Sequence, residues 1–167
     1  MNKIIFLDID GVLNSNQYWE SLYKQGQKQF PERMEFELDP RCLRNLKKIV
    51  NETQAKIVVT STWKRLPERM KKFKRYIPMF GLSVYDETPC HPKGADNRGA
   101  EIRQYLQEHQ GEVDKFILLD DDIFPDFNEL TQYLVKTNFY KSGLCENHVQ
   151  EAIERLGRVR KEQEMER

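Results

Sequence analysis

Five aspartates in two clusters are the side chains of this sequence best placed to do chemistry. Asp8 and Asp10 follow the apolar run Ile4-Ile5-Phe6-Leu7 and precede Gly11; Asp120, Asp121 and Asp122 follow a second run, Phe116-Ile117-Leu118-Leu119. Two carboxylates two residues apart at the end of an extended strand lie on one side and can face the same ligand, and a glycine after them lets the chain turn sharply behind. The alternative for each cluster is a solvated polar turn after a strand. If both runs are buried strands ending at the same edge of a sheet, however, the clusters converge, and converging carboxylates repel unless a cation sits among them. The chemistry this points to is that of a hard, oxygen-ligated divalent ion.

Groups placed in this way need strands that end together and helices that cover both faces of the sheet. Ile57-Val58-Val59-Thr60-Ser61 reads as another buried strand, Leu82 to Tyr85 as a weaker one and Leu134 to Thr137 as a short one. Asp39-Pro40 offers an N-cap with proline at the first helical position, and Leu43, Leu46, Ile49 and Val50 recur behind it at helical spacing. Arg98 to Gln110 carries Ile102, Tyr105 and Leu106 with the same period, and further helices are predicted near Asp126 to Tyr133 and over Glu146 to Leu156. Strands separated by helices imply parallel pairing through right-handed crossovers. The fold class is therefore α/β, a three-layer doubly wound sheet, whose ligands bind beyond the carboxyl ends of the strands where strand order reverses. One domain over residues 1–156 accounts for most of the 167 residues, and 157–167, which alternates charges with little to bury, reads as a tail.

Composition narrows the classes. With 27 basic and 27 acidic side chains, overall charge advertises neither nucleic acid nor membrane, so any such preference must be local. Cys42, Cys90 and Cys145 are widely spaced and form no zinc pattern, so they read as reduced thiols. The first apolar run is broken by Asp8 far short of a membrane span, and a cytoplasmic protein without membrane contact is expected.

The segment Phe6-Leu7-Asp8-Ile9-Asp10-Gly11-Val12-Leu13 resembles the first motif of the haloacid dehalogenase (HAD) superfamily, and later segments keep that family's order from Asn2 to about Leu156. The resemblance implies a phosphoric monoester hydrolase in which Asp8 is the nucleophile and Asp10 protonates the leaving group and then activates water. It implies magnesium held by Asp8, the main-chain carbonyl of Asp10 and Asp120, with Asp121 preferred to Asp122 as a further ligand; the ion's taste for carboxylates, waters and a phosphate oxygen suits that set. It also implies a Ser or Thr after the second strand to bind the phosphoryl group, Ser61 or alternatively Thr60. A cation before the last acidic strand is implied as well, Arg98 or alternatively Lys93. Arginine can hold two phosphoryl oxygens at once. Asp10-Gly11-Val12-Leu13-Asn14, Ser61-Thr62-Trp63-Lys64, Arg98-Gly99-Ala100-Glu101-Ile102 and Leu119-Asp120-Asp121 together resemble the capless HAD domains of Swiss Army Knife RNA-repair proteins.

Two stretches bear on the substrate. From Lys64 to Arg75 seven cations stand against Glu68 alone. The stretch is either a solvated helix face or a track for a nucleic-acid backbone, with Trp63 either a core aromatic or a base-stacking platform. The Tyr18 to Leu38 insertion could form a flap through Trp19, Tyr23 and Phe30 or pack them inward. An RNA or DNA phosphate end, or a nucleotide, is the leading substrate class. A protein phosphatase, and a phosphate-binding module without turnover, are the alternatives.

Overall fold

Five strands make one parallel sheet: β1 (Asn2–Leu7), β2 (Lys56–Val59), β3 (Val84–Glu87), β4 (Val113–Asp120) and β5 (Leu134–Lys136), in the spatial order β3-β2-β1-β4-β5. The computed structural model describes residues 1–26 and 33–159. Along the chain the helices are α1 (Asn16–Lys24), α2 (Met34–Glu37), α3 (Pro40–Thr53), α4 (Pro67–Tyr76), α5 (Arg98–Glu108) and α6 (Glu146–Leu156). The chain steps outward from β1 to β2 to β3 and then crosses back to β4. Strand order thus reverses between β1 and β4, the two strands that end in aspartate.

Alternation along the central strands builds two core layers. Ile5, Leu7 and Ile9 join Ile117 and Leu119 against α3, α4 and α6, whereas Ile4 and Phe6 join Leu118 and Val58 against Ile102 and Tyr105 of α5. Both faces are apolar because both are covered, as a parallel sheet requires. The backbone ladder runs one residue past most strands. Asp8 donates to the Leu119 carbonyl (2.9 Å), Thr60 to Leu7 (2.9 Å), Thr88 to Val59 (3.0 Å) and Thr137 to Asp120 (3.0 Å). The carboxyl ends therefore finish level, and the residues that follow form one rim.

Local signals act as their chemistry dictates, with three differences from the sequence-based expectation. Asp39 accepts from the Arg41 N–H at 2.9 Å and Pro40 opens α3, as predicted. The basic stretch is broken at Leu66-Pro67 into a 3-10 turn (Thr62–Arg65) and α4, since a residue before proline avoids the helical region. The weak third strand runs over Val84–Glu87 in place of Leu82 to Tyr85. In place of a helix near Asp126 to Tyr133, the chain passes through the left-handed region at Asn128 (φ +48°), which interrupts a helix there, and forms a 3-10 turn over Asn128–Tyr133, with Asp126 outside it. Its carboxylate accepts from the Gly99 and Ala100 N–H groups, both at 2.9 Å, and so caps the start of α5 across the molecule. Within the insertion, Trp19 is half-buried, its ring edge-on to Phe139 and its indole N–H donating to the Glu37 carbonyl at 3.2 Å. Tyr23 is exposed, and Phe30 lies outside the described residues, as do residues 160–167 of the expected tail. Among the described residues no helix is long and apolar enough to cross a membrane.

A Cβ on Gly99 would collide with the main-chain oxygen of Asp126. Gly99→Ala should therefore destabilise the fold by about 2 kcal/mol, the usual scale of overpacking against a fixed backbone. Urea unfolding checks this, and a loss under about 0.5 kcal/mol would show that α5 is not held as tightly as described.

Candidate active site

Alternation carries Asp8 to the side of Ile4 and Phe6, and Asp120 to the side of Leu118, so both carboxylates face the start of α5. Arg98, the first residue of that helix, places Nη1 3.1 Å from Asp8 Oδ1 and 2.8 Å from Asp120 Oδ2. Asp121 completes the group: one carboxylate oxygen from each of Asp8, Asp120 and Asp121 lies within 4.8 Å of the others. This approach depends on Gly11, at φ +82°, whose missing side chain leaves the space that the Asp121 carboxylate fills. Asp122 is exposed, with its N–H given to Asp120 Oδ1, and Lys93 is exposed as well.

The electrostatics follow from burial. Asp8 and Asp120 are 6% and 2% exposed. Burial pushes the Asp8 carboxyl well above the usual carboxylate range, Asp120 and Asp121 push it further, and Arg98 pulls it back. Asp120 is also raised, by burial first, against the pull of Arg98. Burial alone would lower the Arg98 guanidinium, but Asp8 and Asp120 outweigh it and hold the group above its ordinary value. Three crowded carboxylates against one guanidinium leave room for further positive charge.

Asp10 stands apart from this cluster. Its Oδ1 accepts from Asn14 Nδ2 at 2.9 Å and its Oδ2 from Trp63 Nε1 at 3.0 Å, while Asn14 Oδ1 takes the Gly11 N–H at 2.8 Å. Trp63 is 1% exposed, edge-on to Phe73, with the Arg69 guanidinium 4.0 Å above its ring. It is a core aromatic, and no face is left to stack on a base. Thr60 and Ser61 are both buried. Ser61 Oγ accepts from the Trp63 N–H at 3.2 Å, which leaves its own proton to donate, and the Thr60 hydroxyl makes no hydrogen bond among the described residues.

Behind the rim lies an ion network that the sequence did not announce. Glu101, one turn past Arg98, holds Lys64 (2.8 Å) through Oε1 and Arg65 (2.8 Å) through Oε2, and also accepts from the His91 N–H at 2.7 Å. Lys64 donates besides to the Thr88 hydroxyl (2.9 Å) and the Pro89 carbonyl (3.1 Å). The network ties the Ser61 loop to α5. It also absorbs charge that the sequence suggested was free: with Arg69 on Glu37 and Lys74 on Glu87, the cations of that stretch without an ion pair among the described residues are Lys71, Lys72 and Arg75.

The donor set suits a hard cation. Three carboxylates converge with no nitrogen or sulfur ligand between them, which is what magnesium or a similar ion selects. Arg98 Nε is buried without a partner, although the Phe124 ring lies 4.3 Å from the guanidinium. The motif phrasing could have flagged Asn14 and Glu101; Phe124 and Asp126 carried no local signal.

The model of the HAD domain in Swiss Army Knife RNA repair proteins matches residues 4–149, which includes both acidic clusters. Among solved structures, a haloacid dehalogenase-like family hydrolase from Streptococcus pneumoniae is similar over 91% of this chain and 90% of that one, at 14% identity and a TM-score of 0.47. No curated protein matches in sequence. The chain belongs to the haloacid dehalogenase superfamily, in the family of HAD domains of Swiss Army Knife RNA repair proteins.

Proposed function

We propose that the chain is a magnesium-dependent phosphomonoesterase that works through a phosphorylated Asp8 and acts on the phosphate end of an RNA or DNA strand. One observation carries the reading: a buried carboxylate, Asp8, faces two further carboxylates and a guanidinium at the point where strand order reverses. That is where a nucleophile, a cation site and a phosphoryl-binding cation are all needed.

The chain's own groups perform the reaction in two displacements. Asp8 attacks phosphorus, a bond forms from its carboxylate oxygen, and the ester P–O bond breaks. Asp10 gives the departing oxygen its proton. The carboxylate so formed then takes a proton from water, which attacks the phosphorus on Asp8 and releases inorganic phosphate and free Asp8. Arg98 offers its unpartnered Nε to the phosphoryl group, and Ser61 or Thr60 offers a hydroxyl. Asp8, Asp120 and Asp121, with the main-chain carbonyl of Asp10, would hold the magnesium, whose charge would favour the ionised form of Asp8 and offset that of the phosphoryl oxygens. Burial and the neighbouring carboxylates both disfavour charge on Asp8, and a cation at this position would oppose them.

Two observations support a polymer end as substrate. The family is the HAD domain of RNA repair proteins. And α4 starts just beyond the phosphate-binding loop, where Pro67, Met70, Lys71, Lys74 and Arg75 line a groove of about 450 Å³ together with Lys64 and Glu87. Lys71 and Arg75, the groove cations without an ion pair among the described residues, are groups that could meet a phosphate backbone, and Lys72 lies beside them on α4.

Asp8→Asn should abolish turnover with the fold intact, as read by phosphate release and circular dichroism; near-normal activity would remove the nucleophile assignment. Asp10→Asn should cost alkyl phosphates about 100-fold and aryl phosphates much less, because only a poor leaving group needs the proton. Equal losses would contradict its role.

Activity should vanish in chelator. Asp121→Asn should raise the Tm of the metal-free chain by about 2–4 °C, one crowding charge having gone, and should shrink the stabilisation that added magnesium gives the wild type. A lower Tm for the variant in chelator would show that the three carboxylates do not repel as described.

Changing Lys71, Lys72 and Arg75 to Gln together should raise KM for an end-phosphorylated oligonucleotide about tenfold at low salt, with hydrolysis of a small aryl phosphate little changed. A parallel change in both substrates, or a mononucleotide preferred to every oligonucleotide, would point to a nucleotidase instead.

A further inference from the structure

We propose that Trp63 is the positioning residue for Asp10, and that it couples the proton donor to the phosphate-binding loop; the inference rests on the reading of Asp10 as acid and base. A buried indole needs an acceptor for its N–H. Trp63, 1% exposed, finds it in Asp10 Oδ2 at 3.0 Å, across 53 residues of sequence, and its own main-chain N–H goes to Ser61 Oγ at 3.2 Å. One residue thus fixes both the carboxylate that must protonate the leaving oxygen and the hydroxyl offered to the phosphoryl group.

The ring itself is held from two sides. Phe73 of α4 meets its edge, and the Arg69 guanidinium lies over its face at 4.0 Å, anchored at 3.0 Å to Glu37 of α2. Asn14 holds the other oxygen of Asp10 at 2.9 Å. Each carboxylate oxygen then accepts one hydrogen bond from the protein. A second lone pair remains on each to carry the transferred proton or to meet water. The indole therefore sets the direction of that free lone pair. Without it, Asp10 keeps one tether and can rotate away from the leaving oxygen, a loss that matters in proportion to how much the leaving group needs a proton.

Trp63→Phe keeps the buried ring and the main-chain N–H and deletes the indole donor. The expected result is a fall in kcat about tenfold larger for an alkyl phosphate than for a nitrophenyl phosphate, with KM for both within about twofold. A role confined to packing would lower both rates alike, and equal falls in an active enzyme overturn the proposal. A second readout needs no turnover. Of the two indole N–H resonances, that of Trp63 should move upfield in Asp10→Ala, while that of Trp19, which donates to the Glu37 carbonyl, should stay. An unmoved Trp63 resonance overturns the proposal even if Trp63→Phe fails to fold. Absence of turnover in the wild type on every phosphate removes the phosphatase reading and this inference with it, whereas equal falls in an active enzyme remove the inference alone.

Discussion

Like charges held close together in a buried place constrain everything else in this molecule. Asp8, Asp120 and Asp121 bring three carboxylates within 4.8 Å of one another, and one guanidinium, Arg98, stands between two of them. Burying one partner of such a group without the other is costly, so the position of Arg98 has to be guaranteed. Two devices do so. Asp126 caps the helix that Arg98 begins, at a distance that leaves no room for a side chain at Gly99, and Glu101 pins the same helix to the Ser61 loop through Lys64 and Arg65. Gly11, in the turn after β1, makes a similar concession by leaving space for Asp121.

This arrangement divides labour between two carboxylates two residues apart. Asp8 lies in the charged cluster, where burial and like charge raise its carboxyl and where an added cation would act most strongly. Asp10 is turned the other way, toward Asn14 and Trp63. The strand ends at Leu7, so the two-residue alternation that would put both carboxylates on one side no longer holds at Asp10, and one tripeptide places two carboxylates in different surroundings. The same logic tempers the basic stretch. Its charge is spent largely inside the molecule, on Glu101, Glu37 and Glu87, and what remains for a partner is a short row on α4.

Much of the fold was legible because its signals are local. The apolar runs that end in Asp8 and Asp120, the Asp39-Pro40 start of α3 and the period of α5 and α6 each follow from a few adjacent residues, and the parallel sheet follows from their alternation. The convergence of Asp8, Asp120, Asp121 and Arg98 could be anticipated from strand ends and from the family motif. The partners of long side chains could not. Trp63 with Asp10, Asp126 with the start of α5, and Lys64 with Glu101 join residues 53, 26 to 27 and 37 positions apart, and nothing in the flanking sequence marks them. The free charge of α4 was overstated for that reason, since carboxylates on other elements neutralise it. The helix expected near Asp126 gave way to a 3-10 turn that begins at Asn128, whose left-handed backbone interrupts a helix and has no clear sign in the flanking residues.

The central claim, that Asp8 is the group that takes the phosphoryl unit, is tested most directly by a crystal structure of the protein with magnesium and beryllium fluoride. The account predicts beryllium bonded to a carboxylate oxygen of Asp8, its fluorines hydrogen-bonded by Arg98 and by Ser61 or Thr60, and the metal against Asp120 and Asp121. Beryllium bonded to another side chain, or a magnesium-loaded site in which Asp8 stays unmodified at saturating fluoride, would contradict it.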